Sequence, residues 1–153
     1  MGIFKEDLIN FGNLIDTEVE VGLTEEDFMK VFGGLKFEFG DSLIKIKGKK
    51  KGFFLKRGFE FRGAQEEGRV YNEKDYETTG MGIYLRIISP EGLDVLEKVG
   101  MVKEGEYLKM DVFEALKGSD IYREIPDAFR NRLLLKRYRV GKGRLSLFIT
   151  VTK

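Results

Sequence analysis

Between Leu35 and Phe61 three successive stretches place apolar side chains at alternate positions, and no other feature of the chain restricts its fold as much. Leu35, Phe37 and Phe39 alternate with Lys36 and Glu38, and Ile44 and Ile46 alternate with Lys45 and Lys47. Phe53, Leu55, Phe59 and Phe61 are set against Phe54, Lys56, Glu60 and Arg62. Successive side chains of a strand point to opposite faces, so this stretch predicts adjacent strands with one buried and one wet face. Gly40-Asp41 and the run Gly48-Lys49-Lys50-Lys51-Gly52 read as turns, which gives strands at about 43–47 and 53–62.

The rest of the chain mixes both periods. Val19, Val21 and Leu23 alternate, as do Ile83, Leu85 and Ile87; Tyr107 and Leu108 suggest a short strand. Phe4, Leu8, Phe11 and Leu14 fall at helical spacing over residues 3–15. Thr24 with Asp27 caps a helix that turns Phe28, Val31 and Phe32 inward and stops at Gly33-Gly34. Ser89-Pro90-Glu91 reads as the start of a helix running to Gly100, and Asp111 with Glu114 as a capping box for one ending at Gly118. Pro126 breaks any helix from Asp120. Residues 63–80 have three glycines and no period, so they read as a long loop. The chain closes on a hairpin, about 130–140 and 144–152, around Gly141-Lys142-Gly143. The expected fold is a single α+β domain over residues 1–153. It has a mostly antiparallel sheet, two basic β-hairpins and about four short helices. Phe37, Phe39, Phe59, Phe61, Ile83, Leu85, Leu147 and Ile149 are its predicted core.

Composition narrows the chemistry. The 153 residues contain no Cys, His or Trp, which removes thiol nucleophiles, disulfides, Cys- or His-ligated metals and histidine general bases. No catalytic, cofactor or metal residue is assigned. Lys5-Glu6-Asp7, directly after Gly2-Ile3-Phe4, interrupts any signal-peptide core, and no apolar run is long enough for a bilayer, so the expected setting is cytoplasmic, without a membrane partner. The 35% charged residues, with one Gln and four Asn, resemble thermophile composition.

Net charge is only +1, but it is segregated. Residues 1–41 carry 3 basic and 10 acidic groups, 42–62 carry 8 and 1, 63–127 carry 8 and 15, and 128–153 carry 8 and none. Such blocks repel themselves and call for an anionic partner or an acidic protein surface. The first hairpin is expected to surround Phe54 with Lys45, Lys47 and Lys56, and to hold Lys49, Lys50 and Lys51 at its tip. In the second, inward Leu145, Leu147, Ile149 and Val151 leave Arg144, Ser146, Phe148 and Thr150 outside. A two-residue loop at Lys142-Gly143 sets Arg139 opposite Ser146 and Arg137 opposite Phe148. That register turns Val140, Tyr138 and Leu134 inward and requires Lys136 to snorkel.

Cations that track phosphates beside an aromatic that stacks on a base describe a non-catalytic nucleic-acid-binding domain, for single-stranded or structured substrate. The rival is a structural or regulatory subunit that self-associates, its basic hairpins meeting the acidic 1–41 or 63–127 surface of another copy. A minor alternative is a metal-dependent nuclease built on Asp41, Glu60 and Arg62, which would need converging carboxylates. The helix at 111–117, the segment 120–132 and the C-terminal hairpin also have the element order of a winged helix, with the hairpin as wing and Pro126 where a recognition helix should continue. Gly80-Met81-Gly82 and Gly141-Lys142-Gly143 lack the rest of a phosphate loop.

Overall fold

The computed structural model describes residues 18–51, 56–74, 79–130 and 132–151. The expected helix at 3–15 and the strand positions of Phe53, Phe54 and Leu55 lie outside them. In chain order the elements are β1 (Val19–Thr24), α1 (Glu25–Val31), β2 (Lys36–Gly40), β3 (Leu43–Lys51), β4 (Lys56–Lys74), β5 (Thr79–Ser89) and α2 (Leu93–Lys98). They continue with β6 (Val102–Glu104), β7 (Tyr107–Asp111), α3 (Phe113–Lys117), α4 (Asp120–Glu124), α5 (Asp127–Arg130), β8 (Leu133–Gly141) and β9 (Arg144–Val151). Strand pairing is antiparallel throughout and builds a six-stranded sheet, β2-β3-β4-β5-β7-β6, and a three-stranded one, β1-β9-β8. The fold is α+β.

Both sheets feed one apolar core. All eight predicted core residues are buried in it. Phe28 of α1 sits at its centre, its ring 5.5 Å from Phe37 and 5.6 Å from Phe39. α1 is positioned by the expected capping box: the Thr24 amide donates to the Asp27 carboxylate at 2.8 Å and the Asp27 amide returns to the Thr24 hydroxyl. Gly34, at φ +87°, ends the segment, but Val31 is 37% exposed rather than inward. Asp111 accepts from the amides of Phe113 and Glu114 and so caps α3 from the end of β7.

β8 has a strand partner on one side only, and side chains of β4 supply the other. The Asn72 amide donates to the Leu135 carbonyl at 2.9 Å and accepts from the Leu135 amide at 2.8 Å, while Gln65 accepts from the Val140 amide. Tyr138, fully buried, donates to the Tyr84 carbonyl at 2.6 Å and accepts from the Glu66 amide at 2.7 Å. Burial pushes its phenol up to about 12.

Several expectations are corrected. Residues 63–74 are strand, not loop. Gly63, Gln65, Val70 and Asn72 face the core side, but four residues, Glu66 to Arg69, bulge between Gln65 and Val70 against the single Tyr84 of β5. The inward phase changes from odd to even across that bulge, which is why no period shows. Gly63 is a close approach rather than a turn, since a Cβ there would sit 2.8 Å from that of Leu85. The helix after Pro90 starts only at Leu93, because Gly92 at φ +77° interrupts the first turn. Lys136 does not snorkel: it is bulged out between Leu135 and Arg137, which turns Leu133 and Leu135 inward and leaves Leu134 half-buried. The β3 ladder continues through Gly48 to Lys51, opposite Lys56, so Lys49, Lys50 and Lys51 belong to a strand and not to a tip.

Candidate nucleic-acid interface

The outer face of β2, β3 and the first half of β4 is fixed by the alternation. Ile44, Ile46 and Gly48 face the core, and a Cβ on Gly48 would meet the Phe59 ring at 2.8 Å. Lys45, Lys47 and Lys49 therefore share the outer face, flanked by Lys36 and Glu38 on β2 and by Glu60 and Arg62 on β4. The strand positions of Lys51 and Lys56, paired with each other, continue the same face. Among described side chains that is five cations against two carboxylates; a third carboxylate, Glu91, accepts from the Glu60 amide at the border.

The carboxylates gather round one lysine. Lys47 meets Glu38 at 2.8 Å and Glu60 at 3.6 Å, and Glu60 also binds Arg62. The Lys47 hydrogen bond holds Glu38 below the usual carboxylate range, Arg62 does the same for Glu60, and Glu38 raises Lys47. Lys36, Lys45 and Lys49 make no ion pair among the described residues. Lys50 points the other way and meets Asp94 at 3.0 Å, so it leaves the predicted set. Phe54 lies outside the described residues.

The second predicted group assembles differently. The expected register holds, with Arg139 opposite Ser146 and Arg137 opposite Phe148. But Arg137 binds Glu18 at 3.2 Å and also Glu67, Arg139 reaches Glu67 at 2.9 Å, and Arg144 reaches Glu20 at 3.3 Å. The Arg137 guanidinium lies 3.8 Å from the Phe148 ring centre and covers it, so Phe148 is half-buried rather than an open platform. Ser146 and Thr150, expected outside, are buried, and Ser146 donates to Glu20 at 2.7 Å. Lys142 stands exposed in the turn without an ion pair among the described residues. The acidic bulge of β4 and the Glu residues of β1 thus answer the C-terminal cations within the chain.

That latch has a pH signature. Hydrogen bonds from Arg137 and then Arg139 hold Glu67 below its ordinary value. A carboxyl depressed in the fold contributes stability above its unfolded value, about 4.3, and loses it as pH falls through the folded value. Carbon-13 titration of Glu67 is expected to show the low value in the native chain and a return toward the ordinary one in Arg137→Ala. An ordinary value in both chains would mean that the latch does not form in solution.

Asp41 and Glu60 do not converge. Asp41 lies in the turn before Leu43, whereas Glu60 is opposite Lys47, four positions along β3. Among the described residues no cluster of three or more acidic side chains is arranged to hold a metal. A cleft of about 300 Å³ is lined by Val31, Phe32, Val99 and Met101 with Asp111 and Glu114. Burial raises Asp111, but its capping bonds to Phe113 and Glu114 account for that carboxylate. The winged-helix order is present, yet α4 and α5 are five and four residues long on either side of Pro126. β9 lies between β1 and β8 rather than projecting.

Sequence reasoning missed a column of tyrosines. Tyr71, Tyr84 and Tyr107 lie on β4, β5 and β7, with ring centres 5.7 Å and 6.3 Å apart. The alternation around Ile83, Leu85 and Leu108 already put Tyr84 and Tyr107 on a wet face; Tyr71 was hidden in the supposed loop. No protein-family model matches the chain, no curated protein matches it, and no solved structure matches its fold. Among the described residues no helix is long and apolar enough to cross a membrane.

Proposed function

We propose that the chain acts as a single, non-catalytic α+β domain that binds nucleic acid by its phosphates, through the outer face of β2, β3 and β4. The observation that carries this reading is the lysine ladder: Lys45, Lys47, Lys49 and Lys51 occupy alternate positions of one central strand. Alternate residues are about 6.7 Å apart, close to the phosphate repeat of an extended strand. Lys36, Arg62 and Lys56 widen the stripe on neighbouring strands. Of the two basic hairpins the sequence suggests, the first supplies the surface. The second is occupied by Glu18, Glu20 and Glu67. Those same pairs weaken the rival reading, in which two copies associate through segregated charge, because much of the acidic surface already has its partner in the same chain.

Salt dependence tests the reading. Four phosphate contacts at roughly −0.7 each give a slope of about −2.8 for log affinity against log salt on a single strand. Raising salt from about 50 to 200 mM then weakens binding about fiftyfold. The double variant Lys45→Ala, Lys49→Ala is expected to flatten the slope to about −1.4. The strand should be recovered uncut, with or without magnesium. Undetectable binding at about 50 mM, or a slope indifferent to the two lysines, would sink the proposal.

A further inference from the structure

The outer face of the six-stranded sheet continues past Arg62. Ala64, Arg86 and Tyr107 share one row across β4, β5 and β7; Tyr84 and Lys109 share the next; Tyr71, Gly82 and Asp111 share the one after. The Tyr71 ring lies over Gly82, where any Cβ would collide with it. The Lys109 ammonium sits 4.4 Å from the Tyr71 ring centre, and the Arg69 guanidinium sits 4.4 Å from that of Tyr107. Three of the chain's six tyrosines thus stand in one edge-to-face column on a single sheet surface.

Charge here is balanced, unlike that on the lysine rows. Glu66 binds Arg69 at 3.2 Å and Arg86 at 3.5 Å, Glu73 binds Lys109 at 2.9 Å, and Glu104 lies beside Tyr84. Arg69 is backed by Tyr107 on one side, while its side chain is 58% exposed. A guanidinium that lies over an aromatic ring and keeps its other side in solvent is a stacking surface for a nucleobase. One face therefore has a cationic half without described aromatics and a neutral half rich in them. A single strand has the same division, with phosphates along one side and uncharged rings on the other. A peptide partner would account for the tyrosines but not for the uncompensated lysines.

We infer that the tyrosine column, with Arg69 as its outermost plane, receives the bases of a single-stranded nucleic acid whose phosphates lie on the lysine rows. The inference rests on the phosphate-binding reading above. From Lys45 to Arg86 is two strands across and one row along, roughly 12 Å, a gap that a lysine side chain and one nucleotide span together. Duplex, with its bases stacked inside, offers nothing to the column.

The test compares a thymidine oligonucleotide with an abasic oligonucleotide of equal length and charge, using the whole chain. Tyrosine emission is a direct second readout, since the chain has no tryptophan. The thymidine strand is expected to bind at least about tenfold more tightly than the abasic one and to quench the emission. Arg69→Ala, at an exposed position, and Tyr84→Ala should each bring its affinity toward the abasic value with the salt slope unchanged, while Tyr84→Phe retains binding. Equal affinity for the two strands would overturn the inference, leave phosphate binding standing, and return the column to a peptide partner. Loss of binding to both strands would overturn the phosphate reading and this inference with it.

Discussion

Alanine at Gly92 is expected to destabilise the protein by about 2–5 kcal/mol, far more than a glycine in a surface turn would suggest. Two independent costs meet there. Gly92 holds φ +77°, which an L side chain adopts only at about 1–2 kcal/mol. A Cβ would also drive into the Phe59 ring, which has Gly48 against its other side. Overpacking of this kind costs about 1–3 kcal/mol, because the ring has nowhere to retreat. Phe59 lies beneath the strand pair that carries the lysine ladder, so nucleic-acid affinity should fall with stability. Urea denaturation checks the first claim, and Phe59→Leu in the Gly92→Ala background separates the two costs. Relief of the clash should recover the overpacking part and leave the backbone part. A Gly92→Ala chain as stable as the parent would show that the turn rearranges and that the slot around Phe59 is not tight.

The largest functional effect is expected from reversing charge on the ladder. Glu at both Lys45 and Lys49 would remove two of the proposed phosphate contacts and set two anions beside Glu38 and Glu60, against the strand. Affinity for single-stranded DNA at low salt should drop by at least about a hundredfold. The same change in formal charge at Lys98 and Lys103, which lie on α2 and β6 away from the face, should have a small effect. Equal losses from the two double variants would mean that overall charge, not the ladder, governs binding. Thermal unfolding should distinguish a folded variant from a collapsed one, since exposed charges contribute little to stability.

Much of the buried face was legible in residue order, and the reason is geometric. A strand wet on one side announces itself through alternation, and Phe37, Phe39, Phe59, Phe61, Leu147 and Ile149 all follow it into the core. The Thr24 cap was legible because its two partners are three residues apart. What escaped was whatever depends on a bulge or on distant contacts. The insertion at Glu66–Arg69 inverts the inward phase of β4, so the part of this 19-residue strand from Gly63 onward resembled a loop. The extra residue at Lys136 shifted Leu134 and Leu135 in the same way.

The candidate site divides along the same line. Lys45 and Lys47 were placed by local alternation and stand where expected. For Arg137, Arg139 and Arg144 the side of the strand was legible but their partners were not. Glu18, Glu20 and Glu67 lie between 70 and 124 positions away in the chain. Segregated charge calls for an anionic partner or an acidic surface, and for Arg137, Arg139 and Arg144 that surface is Glu18, Glu20 and Glu67 of the same chain. The tyrosine column failed for want of a register: three isolated aromatics become one surface only when β4, β5 and β7 lie side by side.

The amides of Asn72 and Gln65 have a consequence for how this molecule meets its own copies. A strand with one bare side is a template on which another chain can add, and many proteins guard it with charge or proline. Here the template is filled by side chains of the same chain: the Leu135 amide and carbonyl and the Val140 amide are already taken. An incoming strand would have to displace two half-buried side-chain amides before bonding those groups. Without the two amides those backbone groups would lose these partners and become a template for an added strand. Asn72 and Gln65, besides joining β4 to β8, thus cover the backbone groups through which a second copy would add a strand to β8.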